Sequence, residues 1–310
     1  MNVLYALEKI RNPFLNVIMQ LITYLGQENL FILTAIGVFW CVNKRRGYYM
    51  MTVGFVGVAT NQILKLIFRI PRPWVLDPNF TVVESAKPDA MGYSFPSGHT
   101  QAASVVFGTT ARWTKRRWVR YTCIAAMLLV AFSRMYLGVH TPLDVSVSLI
   151  IGFVIVFAFY PYFADPNRSV FPMILVMSGL AGAFALTMML YPFGADFDTA
   201  YIEHTAENAF KMLGCVAGIA MGCPFEERYV KFDTAAPPAV QAVKLSAGFV
   251  VIAVLRAGLK SPLNALMPEA AAGAVRYFIV VLFACLLWPM CFKGLRRLYA
   301  RFDPDNGDSQ

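Results

Sequence analysis

The stretch that decides the fold is residues 142–163, which read PLDVSVSLIIGFVIVFAFYPYF. It contains one charged residue, Asp144, and the 19 residues that follow Asp144 carry no charge. A helix needs about 20 mostly apolar residues to cross the hydrocarbon core of a bilayer. The backbone polar groups of such a stretch must be satisfied without water, which a helix achieves by itself. The stretch therefore predicts a membrane-spanning helix.

The rest of the chain has the same apolar character. Of its 310 residues, 58% are apolar and 15% are charged, and the mean hydropathy is +0.55. This exceeds what one soluble core needs, so the composition indicates a polytopic membrane protein. It excludes a disordered chain, a collagen-like fibre and a disulfide scaffold. The six cysteines lack the C-x-x-C spacing of a zinc site, and we interpret them as packing residues.

Apolar runs predict about nine spanning helices, with an error of about one. They lie at 29–43, 47–68, 99–112, 119–137, 142–163, 170–192, 209–223, 241–258 and 273–293. The predicted fold class is all-α, a polytopic membrane helical bundle, because the alternating pattern of barrel strands is absent. Residues 1–28 predict one further helix, either interfacial or partly buried. We divide the chain into this helix, a core at 29–163 and additional helices with a tail at 164–310.

The basic residues indicate the orientation in the membrane. Loops on one side carry 16 Lys and Arg, and loops on the other side carry 9. Because cytoplasmic loops carry the excess, we expect a cytoplasmic C-terminus. The outer loops would then lie at 69–98, 138–141, 193–208 and 259–272. The acidic residues of the loop at 193–208 agree with this: Asp196, Asp198, Glu203 and Glu207. No basic and aromatic groove motif is visible, so we exclude a nucleic-acid partner.

Three polar clusters emerge on the expected outer side. They read KLIFRIPRPW from Lys65, FPSGHT from Phe95 and SRMYLGVHTPLD from Ser133. Charged residues at the ends of membrane helices are costly to place there, so we interpret these clusters as functional.

Together, the clusters contain the groups that bind a tetrahedral oxyanion. Lys65, Arg72 and Arg134 supply three positive charges. Ser97 adds a hydroxyl, and Gly98 adds a backbone N–H that a ligand can approach closely. Ser97 also precedes a predicted helix, whose first N–H groups favour an anion. Phosphate is the ligand that this set indicates.

Two of the three histidines, His99 and His140, lie in these clusters. A neutral imidazole can attack phosphorus, and a protonated one can donate to a leaving oxygen. Asp144 follows His140 by four residues and can hold its ring in one tautomer. The sequence thus contains the groups for a two-step hydrolysis.

The clusters resemble the three signatures of the type 2 phosphatidic acid phosphatase (PAP2) superfamily. This superfamily includes lipid phosphate phosphatases, bacterial acid phosphatases and vanadium haloperoxidases. K-x6-R-P corresponds to Lys65 to Pro73, P-S-G-H to Pro96 to His99, and S-R-x5-H-x3-D to Ser133 to Asp144. The order of the three signatures, their spacing and the identity of their residues agree over a segment from about 30 to 163, roughly half of the chain.

The resemblance implies a phosphatase with a six-helix core, here followed by additional C-terminal helices. It implies His140 as the nucleophile that forms a phosphohistidine, Asp144 as its partner and His99 as the general acid. The phosphate ligands that it implies are Lys65, Arg72, Ser97, Gly98 and Arg134. It implies no metal and no other cofactor, although vanadate can occupy such a site as a phosphate analogue.

The substrate that the resemblance implies is a lipid phosphate held in the bilayer. For an integral protein of a bacterial plasma membrane with an extracytoplasmic site, the substrates would be isoprenoid diphosphate, phosphatidylglycerophosphate or phosphatidate. The layout also resembles sphingosine phosphate and glucose 6-phosphate phosphatases.

Several of these residues also have purely structural interpretations. Lys65 alone is typical of a cation that reaches from a helix end to the interface. Ser97 and Asp144 are typical helix caps, and Ser133 can bond a carbonyl within its own helix. Their joint occurrence favours the chemical interpretation. Arg69 falls outside the K-x6-R-P spacing, and we assign it to the interface.

Two features lie outside this site. His204 has no metal-ligand spacing around it, and we interpret it as a solvated loop residue. Gly214, Gly218 and Gly222 repeat every four residues, which predicts close helix packing within the chain or between chains. A homo-oligomer is therefore left open.

Two other functions are compatible with the residues. One is a lipid phosphotransferase, in which a second lipid accepts the phosphoryl group from His140. The other is a lipid or ion transporter whose polar clusters line a path. Against the transporter, no paired discontinuous helices or inverted halves are evident in the sequence.

Overall fold

The computed structural model describes residues 1–191 and 199–302. Within these residues the regular elements are helices and no strand is present, so the predicted all-α class is confirmed. Asp196 and Asp198 of the predicted acidic loop lie outside the described residues. The end of the predicted cytoplasmic tail, residues 303–310, lies outside them as well.

Sixteen α-helices follow one another along the described part of the chain. They are α1 (Asn2–Lys9), α2 (Pro13–Tyr24), α3 (Glu28–Cys41), α4 (Lys44–Phe68), α5 (Pro73–Leu76), α6 (Gly98–Ala103), α7 (Thr109–Trp113), α8 (Arg117–Tyr136), α9 (Pro142–Ala164), α10 (Phe171–Leu190), α11 (Thr199–Phe225), α12 (Pro238–Gly258), α13 (Lys260–Leu266), α14 (Glu269–Leu282), α15 (Trp288–Met290) and α16 (Phe292–Phe302). Wider π-helical turns follow α6, α11 and α14 at Ser104–Gly108, Glu226–Val230 and Phe283–Leu287, and a 3-10 turn lies at Glu84–Ala86.

Seven helical stretches of the described chain are long and apolar enough to cross a membrane. They are Lys44–Leu76, Arg117–Tyr136, Pro142–Ala164, Phe171–Leu190, Tyr201–Val230, Pro238–Leu266 and Glu269–Ala300. An eighth results if α2 and α3, which meet at 42°, are counted as one span. The predicted count of about nine is therefore approximate.

The predicted span at 99–112 is absent from these stretches, which explains why eight spans are counted and nine were predicted. It corresponds to the helical residues 98–113, which include α6, the π-helical turn and α7. At 1.5 Å per residue these 16 residues rise only about 24 Å, whereas the hydrocarbon core is about 30 Å thick. It is therefore not counted among the seven stretches, and it crosses the bilayer only together with the residues that flank it at both ends.

The first 28 residues form two helices, whereas the sequence predicted one. Asn12 begins α2, because its side chain accepts a hydrogen bond of 2.9 Å from the Leu15 N–H. Leu15 and Met19 pack against a buried cluster that includes Tyr136. Phe14 on the other face is exposed. Helix α2 thus has one buried face and one apolar outer face.

By its internal contacts the chain divides into two compact units, and the first consists of Met1–Ala35 and Tyr49–Pro166. In this unit α6 packs against both α8 and α9. Two helices begin side by side, because the Ser97 N–H donates to the Asp144 carbonyl at 3.4 Å. The Ser148 hydroxyl strengthens the contact by donating to the Ser97 carbonyl at 3.0 Å. The starts of α6 and α9 are therefore held together.

A glycine allows the turn between α2 and α3 to approach this place. A Cβ atom at Gly26 would lie 2.6 Å from the His99 carbonyl oxygen and 2.7 Å from a Val130 methyl group. Both distances are shorter than real Cβ contacts. A residue with a side chain would therefore displace the backbone of His99.

The second unit consists of Ile36–Tyr48 and Asn167–Gln310. Its main packing is between α11 and α14, and Gly214, Gly218 and Gly222 lie on the contact. A Cβ at Gly214 would lie 2.0 Å from the Ala274 carbonyl oxygen, and one at Gly218 would lie 3.0 Å from the Phe278 carbonyl oxygen. The predicted close packing is confirmed, and it is formed within the chain.

This packing can be tested with a matched pair of glycine substitutions. We expect Gly214→Ala to destabilise the protein by about 1–3 kcal/mol and lower its Tm in detergent by several degrees, because α11 must move away from α14. Gly179→Ala is the control, since nothing lies within 4 Å of a Cβ at that position on α10. Equal melting temperatures for the two variants would contradict the proposed contact.

Candidate active site

The predicted site residues lie in the first unit, at or next to the ends of α4, α5, α6, α8 and α9. Six of them are at most 7% exposed: Lys65, Arg72, Ser97, Arg134, His140 and Asp144. His99 is half-buried and Gly98 is exposed. The cluster is therefore closed on most sides and accessible where α6 begins.

Arg72 and His140 contact each other directly. Arg72 Nη1 lies 3.0 Å from His140 Nε2 and 3.5 Å from Nδ1, and it also donates to the Val139 carbonyl at 3.0 Å. Because a guanidinium can only donate, the shorter contact favours Nε2 as the acceptor and the ring proton on Nδ1, which also faces Asp144. Burial, followed by the positive charge of Arg72, holds the pKa of His140 well below its usual value. The ring is therefore neutral, with a lone pair on Nε2.

Asp144 faces the other nitrogen of the same ring. Its Oδ2 lies 3.4 Å from His140 Nδ1, accepts a hydrogen bond of 2.8 Å from the Thr141 N–H and receives one of 2.6 Å from the Ser94 hydroxyl. Thr141 also caps α9 by accepting from the Asp144 N–H. The carboxylate thus caps a helix and faces the imidazole at once, which are the two roles weighed from the sequence.

The loop before α6 encloses the cations with its carbonyl oxygens. Arg72 Nε donates to the Gly92 carbonyl and Nη2 to the Met91 carbonyl, both at 3.0 Å. Lys65 Nζ donates to the Tyr93 carbonyl, and the Ser94 carbonyl lies 3.5 Å from it. Carbonyl dipoles thereby solvate charges that water cannot reach, and they hold both side chains in place.

Three side chains of the cluster keep polar atoms without partners among the described residues: Arg134, His99 and Asp144, the last at its Oδ1. Arg134 donates from Nη1 to the Thr23 hydroxyl at 2.8 Å, but its Nε and Nη2 find no acceptor among the described residues. His99 Nε2 is likewise buried and unpaired in the described part of the chain. Buried donors without acceptors are costly, so the atoms of Arg134 and His99 indicate a ligand with acceptor oxygens.

Ser97 and Gly98 lie at the start of α6. The Ser97 hydroxyl accepts from the Thr100 N–H at 3.4 Å and from the Thr100 hydroxyl at 3.0 Å, so its helix-cap interpretation holds. A Cβ at Gly98 would meet only Asn61 Oδ1, at 3.9 Å. The backbone of Gly98 therefore faces open space in which an anion can reach the first N–H groups of the helix.

The residues kept outside the predicted site stay outside it in the structure. Arg69 is exposed, and the Ser133 hydroxyl donates to the Val130 carbonyl of its own helix at 2.7 Å. His204 is exposed, but it lies on α11 and contacts Asn208 Nδ2 at 3.3 Å, so the prediction of a loop was wrong. Within the described ranges, no three His, Cys, Asp or Glu side chains are arranged to hold a metal ion.

Ser94 is the site residue that the sequence reasoning missed. It is fully buried, and its hydroxyl lies 2.6 Å from Asp144 Oδ2 and 3.4 Å from His140 Nδ1. The available signal was a small polar residue two positions before Pro96, at the end of a loop that connects two polar clusters. Nothing in the sequence showed that this loop folds back onto His140.

Comparisons with known proteins address the family of this chain. A model of the PAP2 superfamily matches residues 46–168. Undecaprenyl-diphosphatase BcrC of Bacillus subtilis is 32% identical over 153 residues, which are 49% of this chain and 76% of that protein. The chain belongs to the PAP2 superfamily. A second model, the PAP2 superfamily phosphatase transmembrane extension, matches residues 210–301. The chain is therefore a multi-pass membrane phosphatase.

Two further relatives widen the range of similar proteins. Phosphatidylglycerophosphatase B of Bacillus subtilis is 30% identical over 165 residues, covering 48% of this chain and 75% of that protein. A probable sphingosine-1-phosphate phosphatase of Dictyostelium discoideum is 28% identical over 166 residues, covering 48% of this chain and 39% of that protein. No solved structure matches the chain.

Ser94 can be tested against a second buried serine of the same PAP2 unit. We expect Ser94→Ala to lower kcat about tenfold with little change in KM, because Asp144 loses one charge-assisted hydrogen bond. Ser133→Ala is the control, since its hydroxyl bonds only within α8. Initial rates of phosphate release, with Tm as the measure of folding, separate the two. Equal kcat values in both variants would remove Ser94 from the site.

Proposed function

We propose that this PAP2 phosphatase hydrolyses a lipid phosphate, or the terminal phosphate of a lipid diphosphate, through a phosphohistidine on His140. The observation that carries the proposal is the position of the buried His140 ring between Asp144, whose Oδ2 lies 3.4 Å from Nδ1, and Arg72, whose Nη1 lies 3.0 Å from Nε2. We infer that Nε2 is the nucleophile, and that Arg72 Nη1 donates to a phosphoryl oxygen instead of to Nε2 once the substrate binds. We assign this chemistry to a catalytic core at residues 29–163.

In the first step the lone pair of His140 Nε2 attacks phosphorus. The N–P bond forms while the P–O bond to the lipid, or to its inner phosphate, breaks. His99, protonated once the negative charge of the bound substrate offsets Arg134 and Arg72, donates its proton to the leaving oxygen. The phosphoryl oxygens accept from Arg72 and from the unpaired Nε and Nη2 of Arg134. Asp144 stabilises the positive charge that develops on the His140 ring.

In the second step water attacks the phosphorus of the phosphohistidine. His99, now neutral, accepts a proton from this water, and the N–P bond breaks to release inorganic phosphate and the neutral His140 ring. Lys65, Arg72 and Arg134 oppose the negative charge in both steps. Because these cations are already fixed by carbonyl and hydroxyl oxygens, little reorganisation is needed at the transition state.

The substrate class follows from what the relatives share. Their names specify an undecaprenyl diphosphate, a phosphatidylglycerophosphate and a sphingosine 1-phosphate, each a phosphate at the end of a long apolar group. The spans of this chain would keep such a tail in the bilayer while its phosphate reaches the opening at Gly98 and His99. We infer a substrate with a terminal phosphate on a membrane-embedded tail.

The roles of the histidines can be separated by the leaving group. We expect His99→Asn to lose about 100-fold or more in rate on lipid phosphates but less than about tenfold on p-nitrophenyl phosphate, whose leaving group needs no proton. His140→Asn should lose activity on both. His204→Asn, which removes the exposed histidine of α11, should keep the wild-type rate. An active His140→Asn enzyme would refute the mechanism.

The same assay tests the reaction type and the substrate class. Purified protein would be offered the three lipid phosphates named for the relatives, and free phosphate would be measured beside the dephosphorylated lipid. Equal amounts of the two products support hydrolysis. A phosphorylated acceptor lipid would instead support the phosphotransferase. With labelled substrate and an alkaline quench, an N–P adduct should appear in the wild type and be absent from His140→Asn.

We also propose that the site faces the extracytoplasmic side of a bacterial plasma membrane and that the C-terminus is cytoplasmic. The support is the charge count, with 16 Lys and Arg in loops of one side against 9 on the other. Five of the 16 lie in the short connection at 112–120, whereas the loop at 69–98 leads into the candidate site.

This orientation can be tested with two single cysteines. In a Cys291→Ser background, which removes the exposed native thiol, we expect Lys87→Cys to react with a membrane-impermeant maleimide in intact cells. Lys115→Cys should react only after the membrane is permeabilised. Both lysines are exposed, so they form a matched pair. The reverse pattern would invert the proposed topology.

A further inference from the structure

A groove of about 400 Å³ lies in the first unit, away from the candidate site. Its walls come from α8, from α9 and from the helical residues 104–112, and most of its lining is apolar. Ile124 of α8 and Phe153 of α9 are partly exposed on its rim. Because α8 and α9 both qualify as spans, the rim of the groove faces the hydrocarbon of the bilayer.

One end of the groove carries two arginines, Arg112 and Arg120. The Arg112 guanidinium lies 3.6 Å from the Tyr160 ring centroid, which holds it by a cation–π contact. Its Nε is buried without a hydrogen-bond partner among the described residues. Arg120 is held at the same end, because it donates to the Ala111 carbonyl at 3.2 Å and to the Thr114 carbonyl at 3.0 Å.

These arginines are not part of the phosphatase site. Arg112 follows His99 by 13 residues on one helical segment, which corresponds to about 20 Å along the helix. Along this segment the groove lies between His99 and Arg112. Ser104 and Gly152 are the lining residues nearest the site, and the two arginines are the farthest from it. Two fixed cations therefore lie near the membrane face opposite the site, at the end of an apolar groove.

We propose that this groove binds an anionic phospholipid from the leaflet opposite the candidate active site. The phosphate of the lipid pairs with Arg112 and Arg120, and one acyl chain lies along the apolar wall toward Gly152. Charge complementarity selects this occupant, because guanidinium groups bind phosphate oxygens strongly and an acyl chain matches the lining. The tail of the enzyme's own substrate is a poorer match, since it would place no charge at the arginines.

Native mass spectrometry of the purified full-length protein tests the proposal with dioleoyl phosphatidylglycerol as the probe. We expect bound phosphatidylglycerol on the wild type and about thirtyfold weaker binding in Arg112→Gln/Arg120→Gln. Arg116→Gln/Arg117→Gln is the control, because it removes the same charge from the same connection without touching the groove. It should bind within about twofold of the wild type. Equal loss in both double variants, or equal binding of phosphatidylcholine, would overturn the proposal.

A second pair of variants tests the apolar part of the groove without changing charge. Met127→Trp fills the groove from α8 and should weaken phosphatidylglycerol binding, whereas Leu128→Trp, on a neighbouring exposed position, should not. Hydrolysis of p-nitrophenyl phosphate by all four variants serves as the check of folding. Displacement of the bound phosphatidylglycerol by a non-hydrolysable lipid phosphonate, blocked in the wild type by vanadate, would identify a substrate subsite and refute the proposal.

Discussion

The structure of the site depends on three cations that are buried together. Lys65, Arg72 and Arg134 are each at most 7% exposed, and only one of the predicted site residues, Asp144, is acidic. Burying like charges is unfavourable unless dipoles or an anion compensate. Carbonyl and hydroxyl oxygens supply part of this compensation, and the unpaired atoms of Arg134 show where it is incomplete. In the proposed mechanism the phosphate of the substrate supplies the remainder.

The same residues that form the site also begin its helices. Asp144 completes the capping box of α9, and Ser97 caps α6. The two caps are joined by the hydrogen bond from the Ser97 N–H to the Asp144 carbonyl. A change at either position therefore acts on folding and on chemistry together. Ser94 caps no helix, so a substitution at Ser94 tests the chemistry with less effect on folding.

Much of this could be predicted from the sequence, because the information is local. Hydropathy predicts the membrane class and most spans, and the glycine repeat from Gly214 predicts the packing of α11. The polar clusters identify the residues that lie together in the structure, and their catalytic roles stay predictions. The segment at 99–112 was harder, since apolar character does not reveal that its helix is shorter than the other spans. The contacts of Arg72 and Ser94 could not be predicted, because they depend on the path of the loop at 77–97 after α5.

The match to the PAP2 superfamily begins at residue 46, yet two contacts of the site come from before it. Thr23 holds Arg134 through its hydroxyl, and the bare backbone of Gly26 fits against the His99 carbonyl. The N-terminal segment that contains α1 and α2 thus contributes contacts that support the site, although it precedes the family match. A fragment cut at the boundary of the family match would contain every signature residue and still lack the residues that support Arg134 and His99.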